Sequence, residues 1–540
     1  MLGQMMSQPL LVSSLIRHAD RWHGDTEIVS RRTEGGLHRC TYADVHTRAQ
    51  RLANALTQLG VRPGERVGTL AWNSYRHLEI YYAVSGMGAV CHTINPRLFP
   101  DQIAWIVGDA EDTWVFFDVT FLKIVEGLAP RCPNVRGWVA MTDRARLPES
   151  TLPLVCYEDL LAAAGETFEW PVFDENTASS LCYTSGTTGN PKGALYSHRS
   201  TILHSYGAAL PDTLGLSATD TILPVVPMFH VNAWGIPYAA PMVGARVVFP
   251  GPNLDGASLY ELFEQERVTV TAGVPTVWLA LLQYLDERKL TLSTVRRAVI
   301  GGSAVPPAMI RAFREKHGVE VLHAWGMTEM SPLGTVTRMK TRHAEWNEPQ
   351  RDRLREKQGR PVYGVDLEIV DGTGTPLPHD GVAFGDLVVR GPWVIDHYFR
   401  GAGGDILRDG WFPTGDVATI DADGYVHITD RSKDVIKSGG EWISSIAIEN
   451  AMIAHPAVVE SAVIGVPHPK WDERPIVVVV KKAGVDLTKA DVLEFLEDKI
   501  AKWWLPNDVV FVESLPHTAT GKLSKVELRK QFANYRLPDA

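Results

Sequence analysis

The sequence has few cysteines, no run of basic residues and no long apolar segment. Its five cysteines form no C-x-x-C pair and have no histidine at ligand spacing, so neither a zinc site nor a disulfide framework is indicated. Apolar runs such as Ile476 to Val480 are far too short to span a bilayer, and no basic region precedes the apolar residues at the N-terminus. These absences predict a cytoplasmic protein without an integral membrane segment.

Net charge and chain length indicate which partners and how many domains the protein has. The formal net charge of −10 argues against a nucleic-acid partner, because no basic patch could neutralise phosphates. With 45% hydrophobic and 21% charged residues the composition is that of a globular protein, and 540 residues exceed what one core usually serves. Two or more domains are expected.

The most informative stretch runs from Tyr183 to Gly193 and reads YTSGTTGNPKG. It follows a predicted strand, its glycines allow backbone N–H groups to approach an anion closely, and its hydroxyls and Lys192 can contact phosphate. It is not a P-loop, because Pro191 precedes the lysine and Gly193 follows it. A solvated turn is the alternative interpretation of so many small polar residues.

The complete eleven-residue pattern resembles the phosphate loop of the acyl-adenylate-forming superfamily, which includes acyl-CoA synthetases, peptide-synthetase adenylation domains and beetle luciferases. Later motifs extend the resemblance along nearly the whole chain, closest to bacterial medium-chain fatty acyl-CoA synthetases and 3-methylmercaptopropionate-CoA ligases. The resemblance implies that the loop binds the phosphates of ATP through Thr184, Ser185, Gly186, Thr187, Thr188 and Lys192.

The segment from Pro227 to Gly235 is predicted to be a loop after a strand. In the resembled family it borders the acyl pocket, although a packed core would explain its aromatic residues equally simply. Trp234 resembles the gate tryptophan of long-chain synthetases. The resemblance implies a catalytic role for His230. It also implies an acyl pocket formed by His230, Trp234, Gly235, Gly301 and Trp325.

Two glycine-containing segments, Ala298 to Pro306 and the predicted loop His323 to Glu329, resemble the adenine side of the family's site. Strand ends followed by glycine are where open α/β sheets bind ligands. The implied nucleotide contacts are Gly302, Ser303, Ala304, Ala324, Trp325, Gly326, Met327 and Thr328. Glu329 and Thr184 would hold Mg²⁺. Further along, the resemblance gives ribose or nucleotide contacts to Asp416, Arg431, Lys433 and Trp442.

The resemblance places a domain junction at the DRSKD segment. We therefore expect an N-terminal AMP-binding domain at 1–430 and a mobile C-terminal domain at 431–540, with Lys433 as hinge. Lys522, in the PHTATGKL motif, matches the family's catalytic lysine, although alone it could be an ordinary surface residue. The implied coenzyme A channel comprises Lys437, Ser438, Gly439, Gly440 and Glu441.

Alternating strands and helices predict an α/β fold. We expect a large N-terminal domain of two αβ-layered subdomains with a small β-rich unit, followed by a small α+β domain. The charged residues 346–359 could form a solvated loop or a helix.

The resemblance implies an AMP-forming acid:CoA ligase that uses ATP, Mg²⁺ and coenzyme A and that is a homodimer. Its acid would be a short or medium-chain fatty acid or 3-methylmercaptopropionate, because the indoles of Trp234 and Trp325 would shorten the pocket. A long-chain synthetase and a non-catalytic nucleotide-binding regulator are the alternatives. A domain selecting α-amino acids fits less well, because 229–234 has no acidic residue.

Overall fold

A computed structural model of the protein describes residues 1, 3–184, 190–439, 441–517 and 523–538. Predicted positions Ser185, Gly186, Thr187, Thr188, Gly440 and Lys522 therefore lie outside the described residues, as does the side chain of Glu441.

The strands of the first two sheets begin near the N-terminus and continue to residue 361. They are β1 Glu27–Arg31, β2 Leu37–Thr41, β3 Arg66–Leu70, β4 Val90–Thr93, β5 Asp112–Phe117, β6 Gly137–Ala140, β7 Leu154–Cys156, β8 Ala178–Tyr183, β9 Gly193–Ser197, β10 Thr221–Pro224, β11 Arg246–Phe249, β12 Val270–Gly273, β13 Arg297–Ile300, β14 Glu320–Gly326, β15 Leu333–Val336 and β16 Arg360–Pro361.

The later strands form two smaller sheets. They are β17 Asp366–Val370, β18 Phe384–Arg390, β19 Phe412–Ile420, β20 Val426–Arg431, β21 Ile436–Ser438, β22 Glu441–Ile443, β23 Val458–His468, β24 Asp472–Lys481 and β25 Asp508–Val512.

Helices connect most of the strands. They are α1 Ser13–His23, α2 Tyr42–Gln58, α3 Tyr75–Gly86, α4 Pro100–Ala110, α5 Leu122–Leu128, α6 Tyr157–Ala162, α7 His198–Ala209, α8 Ile236–Val243, α9 Gly256–Gln265, α10 Pro275–Arg288, α11 Pro307–His317, α12 Glu348–Arg355, α13 Ser445–Ile453, α14 Lys489–Glu497 and α15 Lys525–Gln531.

The first sheet has seven strands in the order β7-β6-β5-β3-β4-β8-β9. All neighbours are parallel except β8 and β9, which form an antiparallel pair with Tyr183 opposite Gly193. The phosphate-loop segment therefore connects the ends of two paired strands, which brings Thr184 and Lys192 together.

The second sheet has nine strands in the order β16-β15-β14-β13-β12-β10-β11-β1-β2. Its strands from β14 to β1 are parallel to their neighbours, and antiparallel strands complete both edges. One apolar core joins this sheet to the first through α3, whose residues are all buried. Two further cores cover the outer faces, one beside α9 to α11 and the other beside α4 and α5.

The two smaller sheets complete the fold. Strands β17 to β20 form an antiparallel sheet, while β21 to β25 form a mixed C-terminal sheet with an apolar core on each face. The predicted α/β class is confirmed: two layered αβ subdomains, a small β-rich unit and a small α+β unit follow one another along the chain.

One segment differs from its prediction. The expected loop His323 to Glu329 begins as strand, because β14 extends to Gly326 and pairs first with β13 and then with β15. The expected loop before Gly235 contains a turn with left-handed backbone. The charged residues 346–359 include α12, whose N-terminus is capped by the side chain of Asn347.

No helix in the described part of the chain is long and apolar enough to cross a membrane. All five cysteines are free and buried.

Candidate active site

A cavity of about 420 Å³ lies where strands of both large sheets end. Its lining includes the residues that follow β8, β10, β12 and β13 and the last residues of β14. Carboxyl ends of parallel strands are the usual ligand site of open α/β sheets. Of the predicted site residues, the cavity brings together Thr184, Lys192, His230, Trp234, Gly301, Gly302, Ala324, Trp325, Gly326, Met327, Thr328, Glu329 and Arg431.

At the phosphate-loop end, the backbone N–H of Thr184 donates to the carbonyl of Lys192 at 2.8 Å, which closes the base of the loop. The Lys192 Nζ lies 5.0 Å from the centre of the Tyr398 ring, a cation–π contact that holds the ammonium at the cavity. A positive group on a strand-connecting loop suits the outer phosphates of a nucleotide.

The carboxylate of Glu329 faces the same end of the cavity. Tyr398 donates a hydrogen bond from its hydroxyl to Glu329 Oε1 at 2.6 Å, while burial raises the pKa of Glu329. Tyr398 thus contacts both the lysine and the carboxylate, yet no motif identified it. A carboxylate and a threonine hydroxyl are oxygen ligands of the kind Mg²⁺ takes together with substrate phosphates.

The predicted ribose-binding carboxylate, Asp416, is held by two donors. The indole N–H of Trp325 donates to Asp416 Oδ2 at 2.9 Å, and Arg431 Nε lies 2.9 Å from Oδ1. Asp416 is buried in β19, whereas Trp325 reaches it from the second sheet. The indole therefore connects two parts of the fold at the nucleotide end, in addition to lining the cavity. Its six-membered ring fits only because residue 334 is glycine, where an added Cβ would lie 2.7 Å from Trp325 Cζ3.

The acyl-pocket segment after β10 has unusual backbone geometry. Residues Val231 to Trp234 have φ between 48° and 57°, and Gly235 continues the run at 76°. Left-handed backbone costs about 1–2 kcal/mol for each residue other than glycine, so neighbouring structure must hold this turn. His230 and Trp234 line the cavity on either side of it.

Gly235 does not line the cavity. An added Cβ there would lie 2.6 Å from the ring of His204, so its small size accommodates that ring. Burial lowers the pKa of His204 to about 3, and its neutral Nε2 accepts from the N–H of Leu333 at 3.2 Å. Ser303 and Ala304 also lie outside the lining, just beyond Gly301 and Gly302.

The cavity lining also has an apolar part, here called the apolar arm, which includes Leu214, Val225, Val274, Val277 and Val299. The charged residues in its whole described lining are Arg97, Lys192, Glu329 and Arg431. Arg97, which no motif identified, lies over the rings of Trp72 and Phe229. Its position after β4, at the end of a parallel strand, is the signal that could have indicated it.

Several predicted C-terminal residues lie outside this cavity: Lys433, Lys437, Ser438, Gly439 and Trp442. Ser438 accepts a hydrogen bond from Arg474, and the Gly439 N–H donates to the carbonyl of Trp471. The centre of the Trp442 ring lies 5.3 Å from the centre of the Phe384 ring, in the antiparallel sheet of β17 to β20. Of the predicted coenzyme A residues, Lys437, Ser438 and Gly439 thus lie apart from the cavity lining.

Comparison with known families agrees with this geometry. Residues 15–399 match the model of the AMP-binding enzymes, and residues 447–522 match that of the C-terminal domain of AMP-binding enzymes. The chain belongs to the AMP-binding enzyme family.

Individual relatives indicate which kind of AMP-binding enzyme the chain resembles. The chain is 56% identical over 533 residues to a 3-methylmercaptopropionyl-CoA ligase of Ruegeria lacuscaerulensis, covering 98% of this chain and 99% of the relative. It is 52% identical over 538 residues to a medium-chain-fatty-acid–CoA ligase of Ectopseudomonas oleovorans, covering 99% and 98%. An anthranilate CoA ligase solved with anthranoyl-AMP matches with a TM-score of 0.85 at 26% identity, covering 97% and 98%. Within its family, the protein is an AMP-forming acyl-CoA synthetase.

Proposed function

We propose that the acid activated by this synthetase is a short or medium-chain fatty acid or 3-methylmercaptopropionate. The observation that carries the proposal is the apolar arm, which belongs to the same cavity lining as the phosphate-loop residues Thr184 and Lys192. Its valine and leucine side chains suit an uncharged, unbranched tail, and none of them could pair with an ammonium or a second carboxylate. The substrates named for the two similar ligases support the same class.

In the first half-reaction the acid's carboxylate attacks the α-phosphate of ATP, and pyrophosphate leaves. Two anions must approach each other, so the chain has to supply positive charge and oriented donors. Lys192 and the loop amides would hold the outer phosphates, and Lys522 would contact both the carboxylate and the α-phosphate. Asp416 would accept the ribose hydroxyls. Mg²⁺ held by Thr184 and Glu329 would neutralise phosphate charge.

In the second half-reaction the thiol of coenzyme A attacks the acyl carbonyl, and AMP leaves. The segment Lys437, Ser438, Gly439, Gly440 and Glu441 would line the approach of the thiol. We place the domain boundary between residues 430 and 431 and the pivot at Lys433, so that the C-terminal domain can turn between the two steps. We also propose a cytoplasmic homodimer.

A panel of acids tests the substrate class. Wild-type protein is assayed for CoA thioester formation with straight-chain acids from acetate to palmitate and with 3-methylmercaptopropionate. Each buried methylene contributes about 0.8 kcal/mol, so kcat/KM should rise about fourfold per carbon and then fall once the arm is full.

The matched variant is Trp234→Ala, which enlarges the arm and should flatten the fall with longer acids. A preference for palmitate over hexanoate would favour the long-chain alternative. Acid-dependent ATP–pyrophosphate exchange measured with the same panel addresses the other alternative, because a nucleotide-binding regulator would show no exchange with any acid.

A further inference from the structure

The sequence of the left-handed turn at Val231–Gly235 does not by itself explain its backbone. Only Asn232 and Gly235 are residue types that adopt such backbone readily, whereas Val231, Ala233 and Trp234 are not. The turn nevertheless carries the cavity-lining side chain of Trp234 and directly follows that of His230. Contacts outside the turn must therefore hold it.

Those contacts converge on the side chain of Asn232, which is 3% exposed. Its Nδ2 donates to the Ser180 hydroxyl at 3.0 Å, and its Oδ1 accepts from Tyr81 at 3.2 Å and from the thiol of Cys182 at 3.4 Å. Burial raises the pKa of Cys182 to about 11, so the thiol keeps its proton and can donate. The carboxamide is thus satisfied on both sides by residues of other elements.

The partners of Asn232 connect the turn to the phosphate-loop strand. Ser180 and Cys182 belong to β8, which ends at Tyr183, next to Thr184. Tyr81 lies on the fully buried helix α3, and its single hydroxyl proton is shared between Asn232 Oδ1 and the carbonyl of Met228, which lies 2.5 Å away. Asn232 therefore lies between the acyl-pocket segment, the phosphate-loop strand and the central helix.

We propose that Asn232 is a positioning residue for the acid pocket, which clamps the left-handed turn onto β8 and so fixes Trp234 at a set distance from the phosphate loop. This rests on the proposed function, in which Trp234 borders the acyl chain. Without the clamp, the turn relaxes toward right-handed backbone and the acyl arm loses its shape. The nucleotide end, built on β13, β14 and β19, keeps its geometry.

Kinetics with separate substrates test the clamp. In Asn232→Ala, the KM for the acid should rise about tenfold or more, the effect of leaving buried polar partners unsatisfied. The KM for ATP should change less than about twofold, and the dependence on acid length should flatten. Asn232→Gly distinguishes side chain from backbone, because glycine adopts the turn freely but supplies no carboxamide. Both variants should show the same defect.

Two milder variants keep the test informative if Asn232→Ala is poorly folded. Ser180→Ala removes one bond to the carboxamide, and Tyr81→Phe removes another together with the bond to the Met228 carbonyl. Both should give smaller increases in the KM for the acid. The matched control is Thr271→Val in β12, which loses a buried bond from its hydroxyl to the carbonyl of Leu223 at 2.8 Å, away from the cavity lining. It should leave the KM for the acid unchanged.

Amide hydrogen exchange supplies a readout that does not depend on the reaction. Peptides covering 228–238 should exchange faster in Asn232→Ala than in wild type or Thr271→Val. Unchanged exchange there, or an Asn232→Gly variant with wild-type KM for the acid, would overturn the clamp. The wild-type protein could activate none of the proposed acids while amide hydrogen exchange at 228–238 still rises in Asn232→Ala. In that case the proposed substrate class is wrong and the clamp stands.

Discussion

Trp325 contacts two functional parts of the site at once. Its indole lines the cavity, and its N–H donates to Asp416, the carboxylate proposed to bind ribose. An ionised carboxylate has four acceptor positions, so Asp416 can retain this bond and the contact with Arg431 while it accepts ribose hydroxyls. In the proposed site the indole would therefore orient the carboxylate for the nucleotide as well as occupying space.

Replacing Trp325 by Phe should weaken nucleotide binding, because the ring remains but the donor to Asp416 is lost. A hydrogen bond to a charged group contributes about 1.5–3 kcal/mol, so we expect the KM for ATP to rise at least about tenfold. Preference for ATP over its 2′-deoxy and 3′-deoxy analogues should also fall. Steady-state kinetics with the three nucleotides give the measurement.

The matched variant is Trp234→Phe. In the wild-type protein the indole of Trp234 lines the same cavity as the apolar arm. It should alter the KM for the acid and leave discrimination between the ribose analogues intact. If Trp325→Phe shifts the preferred acid length and not the nucleotide constants, the indole acts as a filler of the acyl arm, as the sequence suggested.

At the residue scale, the family resemblance pointed to side chains from separate motifs that lie close together. Lys192 and Glu329 are far apart in sequence, yet both line one cavity. Tyr398 could not be predicted in this way, because it bonds Glu329 across 69 positions and lies in no recognised motif. The direction of the Trp325 indole likewise depends on packing against Gly334, which composition does not indicate.

At the scale of elements, strand and helix patterns were readable where burial is regular. The α/β alternation and the antiparallel β17 to β20 follow from apolar periodicity and turn residues. The left-handed turn at Val231–Gly235 could not be predicted, because three of its residues disfavour that backbone and distant hydrogen bonds impose it. Tertiary contacts override local preference there.

The turn after β20 is the element proposed to act as the hinge. The N–H groups of Asp434 and Val435 both donate to the carbonyl of Arg431, at 2.8 and 2.9 Å, which gives a compact turn around Lys433. The Ser432 N–H donates to the carbonyl of Gly415 at 3.0 Å, so the turn is tied to β19. A change of domain orientation at this point would require these dihedral angles to change.

Replacing Lys433 by Pro should restrict the turn in one state, because proline fixes its own φ and disfavours helical backbone at Ser432. The rates of adenylation and thioester formation should then change unequally. Each 1.4 kcal/mol by which the substitution favours one domain orientation should change the ratio of the two rates about tenfold. Lys433→Ala, which removes the same charge but leaves the backbone free, is the control. Near wild-type rates for both steps in the proline variant would place the pivot elsewhere.

At the scale of the whole molecule, the cavity and the segment proposed to bind coenzyme A lie in different parts of the fold. Both large sheets share one core and together form the cavity, whereas the C-terminal unit has cores of its own and carries the predicted coenzyme A residues. Within this unit, Lys525 of α15 contacts Glu449 at 2.8 Å, so at least one lysine near the last motif has a structural role. The proposed catalytic role belongs to Lys522.

In the proposed reaction, the acyl-adenylate forms in one cavity with the help of Lys522 from the C-terminal domain, and its acyl group is then transferred to coenzyme A. The direct measurement compares the two half-reactions in Lys522→Ala, with Lys525→Ala as the structural control. We predict that pyrophosphate exchange with hexanoate falls about 10²–10³-fold in Lys522→Ala, the usual effect of removing one donor from a developing charge. Thioester formation from presynthesised hexanoyl-AMP should remain close to wild type. Equal loss of both half-reactions, as a purely structural lysine would give, would contradict the account.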